Sequence, residues 1–446
     1  MHILRTVLEI LAYTFNFWMI CMMVYQIVLS LFGFGKGTKD YADREPESRF
    51  LVLVPAHNEE KVIADIIKNL QQMAYPKHLY DFFVIADNCS DDTAQVARDM
   101  GANVIVTRRK GSGEPTGKPI ALKKALRMLG DYQERYDLLM IFDADNLIDP
   151  NLFAEVNSQF LEKDRPEVIQ CYLGAKNKTG LIAWFYYTCF TTSNRFAQLS
   201  RMRRGLNCGI GGTGYAMSTQ YLHERGGWTA VSLTEDFEIQ IEATLQGKRI
   251  LWNHNARIYD EKPTTVAASL RQRIRWAQGQ WYVCFRNAGK IIPALKSKTI
   301  SLREVASMLM YMCAMFANVF VLFQVCLSII YFALGWGSIM TMHWMFQYVS
   351  IGIFVYSLIG LFYTADYHDN SIRPSVRTLP LMLVSTALNL LLAMLAQFIG
   401  LLLHRRQNQW VKTEHSLNLL ECQEEECVIP LIENDTYATD LLGKHA

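Results

Sequence analysis

A doubly wound α/β domain inserted between apolar helices of membrane-spanning length is the fold class that this sequence predicts, on three observations. Apolar strand-like runs alternate with helical patterns between residues 48 and 300, one uncharged stretch precedes that region, and three follow it. Acidic clusters stand directly after the strand-like runs.

The first uncharged stretch, Ile10 to Phe34, is long enough to cross a hydrocarbon core of roughly 30 Å as a helix. It is longer than the apolar core of a signal peptide, and no small-residue cleavage site follows it. Lys36, Lys39, Arg44 and Arg49 come next, which by the positive-inside rule places the following region in the cytoplasm. Val305 to Leu334, Phe346 to Ala365 and Leu379 to Leu403 also carry no charge. The expected layout is a transmembrane helix over 6–34, a cytoplasmic domain over 48–290 ending in interfacial helices, a membrane block of about three helices over 305–403, and a tail over 404–446. That is a multi-pass protein of the cell membrane, with the lipid bilayer as a partner.

In the cytoplasmic region the expected strands are Phe50 to Val54, Phe82 to Ala86, Asn103 to Thr107 and Leu138 to Phe142. After the first, Val62, Ile63, Ile66, Ile67 and Leu70 recur at helical spacing. Ligands of such sheets gather at the carboxyl ends of the strands, so the residues just after each strand are the functional candidates.

Composition narrows the partners. The chain is 51% hydrophobic, and 44 basic against 42 acidic side chains leave a net charge of +2, so no global field favours nucleic acid and it is set aside as a partner. The 10 cysteines show no CxxC pair and read as reduced thiols, which suits a cytoplasmic face.

Pro55-Ala56-His57-Asn58-Glu59-Glu60 follows the first strand, Asp87-Asn88-Cys89-Ser90-Asp91-Asp92-Thr93 the second, and Asp143-Ala144-Asp145 the fourth. Ser90 or Asp91 can cap the next helix, and a polar loop or cap accounts for any one of these clusters. Acids at three strand ends of one sheet point to a site. Carboxylates two residues apart at a strand end face the same side, so Asp143 and Asp145 suit a hard divalent cation that carries a diphosphate. Such a cation offsets the charge on a departing diphosphate.

Gly209, Gly211, Gly212 and Gly214 either let the backbone approach a sugar or form a flexible turn. Asp236, in Thr234-Glu235-Asp236, opens an expected helix, either as a partner of its dipole or as a working acid. Gln272, Arg275, Trp276 and Gly279 share one face of a helix that starts near Ala267. An amide, a guanidinium and an indole make a wall for a sugar and a diphosphate; the same helix also reads as a basic amphipathic segment at a membrane surface. The two readings are compatible.

Asp87, Asp143-Ala144-Asp145, Thr234-Glu235-Asp236 and Gln272-Arg273-Ile274-Arg275-Trp276 resemble, in order and spacing, the four signatures of processive family 2 glycosyltransferases. That group includes cellulose, chitin, hyaluronan and poly-N-acetylglucosamine synthases, and the likeness covers about residues 48 to 290. It implies a GT-A fold, a UDP-sugar donor with glucose or N-acetylglucosamine favoured, Mg2+ or Mn2+, and a growing β-linked polysaccharide as acceptor. It also implies roles. Asp87 contacts the uracil, Asp143 the nucleotide and Asp145 the metal, while Glu59 and Lys118 are further nucleotide contacts. Asp236 is the general base, and Glu235, Gln272, Arg275 and Trp276 hold the acceptor end, with Arg273 or Arg275 favouring the charged form of Asp236. Transfer of a single sugar to a lipid-linked acceptor is the alternative. A transporter is disfavoured, since the late spans lack both an internal repeat and charge. Linkage, primer and accessory membrane or export proteins stay open.

In the tail, Trp410, Lys412 and Thr413 are similar to the short loop that closes over the nucleotide in cellulose and hyaluronan synthases; the other reading is a basic stop at the membrane edge. Three crossings after a cytoplasmic domain place this tail outside, whereas Arg405 and Arg406 argue for inside. A segment that is re-entrant or lies on the surface reconciles the two, and Val305 to Leu334 is the expected one.

Overall fold

Strand β1 (Phe50–Ala56) shows why its sequence is a continuous apolar run rather than an alternating one. Phe50, Val52 and Val54 enter one core, with Ile63, Ile66 and Leu70 of the following helix. Leu51 and Leu53 enter a second core on the opposite face, with Leu122, Leu126 and Ile239. A central strand covered on both sides has no polar face.

The structure is a computed structural model that describes residues 2–35, 37, 39–109, 111, 117–177, 180–333, 340–366 and 379–407. Trp410, Lys412 and Thr413 therefore lie outside the described residues.

The remaining strands are β2 (Tyr80–Asp87), β3 (Asn103–Thr107), β4 (Leu138–Ile141), β5 (Leu147–Ile148), β6 (Val168–Ala175), β7 (Tyr215–Ser218) and β8 (Ile250–Asp260). They form one sheet in the order β3-β2-β1-β4-β7-β6-β8-β5. The half read from sequence, β3-β2-β1-β4, is parallel. The other half corrects the doubly wound expectation: β7 runs antiparallel to both β4 and β6, and β5 antiparallel to β8. The sheet is mixed because β7 is entered from the glycine segment 209–214 rather than from a crossover helix.

One long element had no counterpart in the sequence reading. Residues Leu181–Ser193, Asn194–Leu199 and Ser200–Arg203 form a continuous helical rod with a π-helical middle. It lies between the sheet and the apolar helices. On the sheet side Asn194 donates to Leu173 O at 2.8 Å. On the other side Arg195 donates to Gly33 O and Gly35 O, both at 3.1 Å, satisfying carbonyls at the end of the first apolar helix.

The apolar helices are His2–Ser30, Leu302–Ala333, Met340–Asp366 and Leu379–Leu403. Among the described residues, Thr6–Gly33 and Leu379–Leu403 have the length and composition of membrane spans. A third is possible by the same criteria if Leu302–Met310 and Met315–Cys326, bent by 41°, count as one span, and Val349–Tyr363 is a shorter apolar stretch. The bend falls in the stretch where the sequence expects an irregular span.

The last of these helices is tied to the helix Val266–Lys296, which starts at Thr265, whose side chain accepts from Ala268 N. Trp281 Nε1 donates to Gln397 O at 3.0 Å and Arg273 Nη1 to Asn389 Oδ1 at 2.9 Å. At Gly400 the two backbones nearly touch: an added Cβ would lie 2.8 Å from Ala277 C and 2.9 Å from Gln278 N. Gly400→Val therefore forces the helices apart, and overpacking of this kind costs about 1–3 kcal/mol. A lower melting temperature of the detergent-solubilised protein is the expected result.

Candidate active site

A cavity of about 680 Å³ opens at the carboxyl ends of β1, β2 and β4, where the sheet rule puts it. The structure brings onto its wall Glu59, Asp87, Lys118, Asp143, Asp145, Glu235, Asp236, Gln272, Arg275 and Trp276, but not Arg273 or Gly279.

At the end of β2, Asp87 Oδ1 accepts from Thr107 Oγ1 at 2.6 Å and from Asn88 Nδ2 at 2.9 Å. The carboxylate is thus held by one oxygen. Ser90 does not cap the next helix; its amide donates to Asn58 Oδ1, and Asp91 instead accepts from Thr93 N at 3.1 Å.

At the end of β4, the Asp143 amide donates to Asn146 Oδ1 at 3.1 Å and Thr213 Oγ1 at 3.0 Å. Asp145 is buried and accepts from Glu261 N at 3.0 Å. Asp260, at the end of β8, faces the same cavity and pairs with the buried Lys262. Burial, reinforced by the charges of Asp145 and Asp143 and resisted by Lys262, pushes the Asp260 carboxyl above its ordinary range. Asp260 escaped the sequence reading because β8 was not recognised as a strand; Ile258 and Tyr259 before Asp260 repeat the strand-then-acid pattern of β2 and β4.

The donor set is all oxygen and crowded with negative charge, which fits a hard divalent cation. Among the described residues there is no group of three or more His, Cys, Asp or Glu side chains that could hold a metal ion.

Glu235 and Asp236 occupy the first turn of the helix Glu235–Leu245. Burial raises both carboxyls. For Asp236 the backbone N–H of Phe237 and the charge of Lys118 oppose the rise, and the charge of Asp143 adds to it. Lys118 Nζ donates to Asp143 Oδ1 at 2.5 Å and to Gly212 O at 2.7 Å, and stands 3.8 Å from Glu235 Oε1. Burial works against its charge, yet the surrounding carboxylates hold its pKa above the ordinary value.

The glycines have defined work here. Gly212 lies at φ +81°, and a Cβ on it would be 3.4 Å from Asp236 Oδ2. Gly279 shares a helix face with Gln272, Arg275 and Trp276 but touches protein, since a Cβ there would lie 2.7 Å from Thr234 N. Arg275 is half-buried near Glu235, Asp143 and Asp236; desolvation lowers its pKa and those charges offset part of the loss. Arg273 corrects the expectation that it serves Asp236: its guanidinium stacks on Phe185 and Tyr186 and bonds to Asn389.

A family model described as Glycosyltransferase like family 2 matches residues 46–279, more than half of the chain. The probable glycosyltransferase YdaM of Bacillus subtilis is 26% identical over 241 residues, covering 53% of this chain and 56% of that protein. The beta-monoglucosyldiacylglycerol synthase of Trichormus variabilis is 26% identical over 275 residues, covering 59% and 55%. The poly-beta-1,6-N-acetyl-D-glucosamine synthase of Staphylococcus epidermidis is 23% identical over 300 residues, covering 64% and 68%. The chain spans little more than half the length of the first two. Among solved structures, the mannosyltransferase PcManGT from Pyrobaculum calidifontis, in complex with GDP-Man and Mn2+, aligns with a TM-score of 0.50 at 16% identity over 86% of this chain and 98% of that one, a likeness of fold.

Lys118 is the cation that the buried acids share, so Lys118→Met should destabilise the protein. A fully buried pair broken on one side costs ~3–5 kcal/mol; with Asp143 40% exposed, about 1–3 kcal/mol is the expected loss. Without Lys118 the Glu235 and Asp236 carboxyls, already raised, rise further above their unfolded values, so the folded state binds the extra protons. The deficit against wild type should shrink as pH falls from neutral toward the ordinary carboxylate range, read from melting temperatures across pH.

Proposed function

The chain belongs to the family 2 glycosyltransferases and resembles their polysaccharide synthases, and on that premise we propose a membrane-embedded, inverting enzyme that polymerises a sugar from UDP-glucose or UDP-N-acetylglucosamine into a β-linked polysaccharide. Its catalytic domain is cytoplasmic and its apolar helices sit in the cell membrane. One observation carries the reading: the strand-end acids, Asp236 and the Gln272, Arg275, Trp276 face line a single cavity.

Asp87 offers its remaining carboxylate oxygen to the uracil, with Glu59 beside it. Asp143 and Asp145 would hold magnesium or manganese, which would supply positive charge against the departing diphosphate. Arg275 adds a half-buried cation near the same carboxylates. Asp236 takes the proton of the acceptor hydroxyl as that oxygen attacks the anomeric carbon opposite UDP, turning an α-linked donor into a β-linked product. Trp276 offers a face for the acceptor sugar, with Gln272 and Glu235 beside it. Trp410, Lys412 and Thr413 follow in sequence on Gln407, which lines the cavity, and this supports their reading as a gate on the donor. The Gln407 contact with Leu233 also supports a tail that begins on the catalytic side.

Transfer to a lipid acceptor is the second reading. Trp276 and Phe190 pack in one cluster with Leu388 of the helix Leu379–Leu403, so the acceptor side of the cavity adjoins an apolar helix.

The deciding experiment supplies each UDP-sugar to the purified protein in lipid nanodiscs, with UDP release and product size measured. Long chains are expected; one sugar on a lipid selects the second reading, and no UDP release from any UDP-sugar overturns both. Asp236→Asn should lower turnover by at least ~100-fold with UDP affinity little changed. Excess chelator should abolish transfer and Mg2+ or Mn2+ should restore it; full activity in chelator removes the metal from the mechanism.

A further inference from the structure

Just past the helix Leu379–Leu403 the chain turns back on itself, with Arg406 N donating to Leu403 O at 2.8 Å. The turn delivers Gln407 to the cavity wall. Its Oε1 accepts from Leu233 N at 2.9 Å, and its Nε2 donates to Gln278 O at 3.2 Å and to His404 O at 2.6 Å. One side chain thus joins three elements: the segment leading into Asp236, the helix that carries Arg275 and Trp276, and the end of the last apolar helix.

The segment 231–234 is fastened differently at its two ends. Val231 N and Ser232 N donate to Glu238 Oε2 at 3.0 and 2.8 Å, and Glu238 Oε1 accepts from Arg286 at 2.6 Å. That clamp belongs to the helix of Asp236 itself. Leu233 N, three residues before Asp236, takes its acceptor from the far end of the chain. Thr234 next to it has its backbone pressed against Gly279. A small shift of Leu233 therefore cannot be absorbed at Thr234 without moving the helix of Trp276.

We propose that Gln407 is a positioning residue for glycosyl transfer: by bridging Leu233 N–H and Gln278 C=O it sets Asp236 in register with the acceptor face. The inference rests on the reading of Asp236 as the base. A displaced base costs turnover rather than donor affinity, and misplacement on the 1 Å scale costs up to ~100-fold. Gln407→Met keeps length and volume but removes all three hydrogen bonds. Gln407→Glu keeps the acceptor for Leu233 N–H.

The test measures kcat and donor KM for Gln407→Met and Gln407→Glu, alone and combined with Asp236→Asn. Gln407→Met should lower kcat roughly tenfold or more with donor KM unchanged, and Gln407→Glu should recover part of that loss. In the Asp236→Asn background Gln407→Met should cost nothing further, because the group it positions is gone. Unchanged kcat in Gln407→Met, a raised donor KM alone, or a full additional loss in the double variant overturns the proposal. If Gln407→Met does not fold, the same comparison with Gln407→Glu and Gln407→Asn decides it. Near-normal turnover in Asp236→Asn alone would instead remove the base assignment, a separate result.

Discussion

Carboxylates gathered in a water-poor cavity repel one another unless cations hold them, and the interior of this site is organised by that constraint. Lys118 stands where Asp143, Glu235 and Asp236 converge, Lys262 pairs with Asp260, and Arg275 is half-buried near the first three. The arrangement is balanced but not relaxed: Glu235, Asp236 and Asp260 all have carboxyls raised above their ordinary range. A base with a raised pKa has more affinity for the proton it must accept, so the strain that crowding imposes also suits proton abstraction.

Close backbone approach is the second requirement, and glycine meets it at each place. Gly212 turns through positive φ so that its carbonyl reaches Lys118 while its Cα passes beside Asp236. Gly279 lets the acceptor helix press on Thr234, and Gly400 lets the last apolar helix press on Ala277. The contacts form a chain from the apolar helices through the acceptor helix to the base. Sub-ångström geometry at Asp236 thus depends on how helices far from the sheet pack.

What could be read from the sequence follows the strength of the local signal. β1 to β4 were legible because each is a short apolar run with a polar cluster after it, and β3 matched its expected limits, Asn103–Thr107. The antiparallel half was not legible. β7 is four residues long after a glycine segment, and β8 interleaves Asn253, His254, Asn255 and Arg257 among its apolar residues. Their pairing depends on the sheet already formed. The rod Leu181–Arg203 escaped for another reason: it is buried on several sides, so its apolar and aromatic residues show no single stripe. The site acids were found because chemistry marks them twice, by residue type and by place at a strand end. Lys118 was singled out as a nucleotide ligand and not for its contacts with Asp143, Gly212 and Glu235, since no local pattern announces a lysine whose partners lie 25, 94 and 117 residues away along the chain.

The cavity's two ends differ in what encloses them, and that difference bears on the acceptor. The end near Asp87 is built by strand termini and loops of the parallel sheet, which present backbone amides and carboxylates to a polar, charged ligand. The end near Trp276 is built by helices that rest on the apolar block: Phe190 from the rod, Trp276 and Gln280 from the acceptor helix, with Gln280 bonded to Gln397 at 2.9 Å. A donor diphosphate suits the first end, whereas the proposed acceptor suits the second, which adjoins the apolar helices. Asp236, the proposed base, lies where the two ends meet, on a helix whose inner face, Phe237, Ile241 and Leu245, packs on Trp281, Met308 and Met312. The helix of Asp236 and the apolar helices thus share one packed core, so loosening that core disturbs the geometry at Asp236.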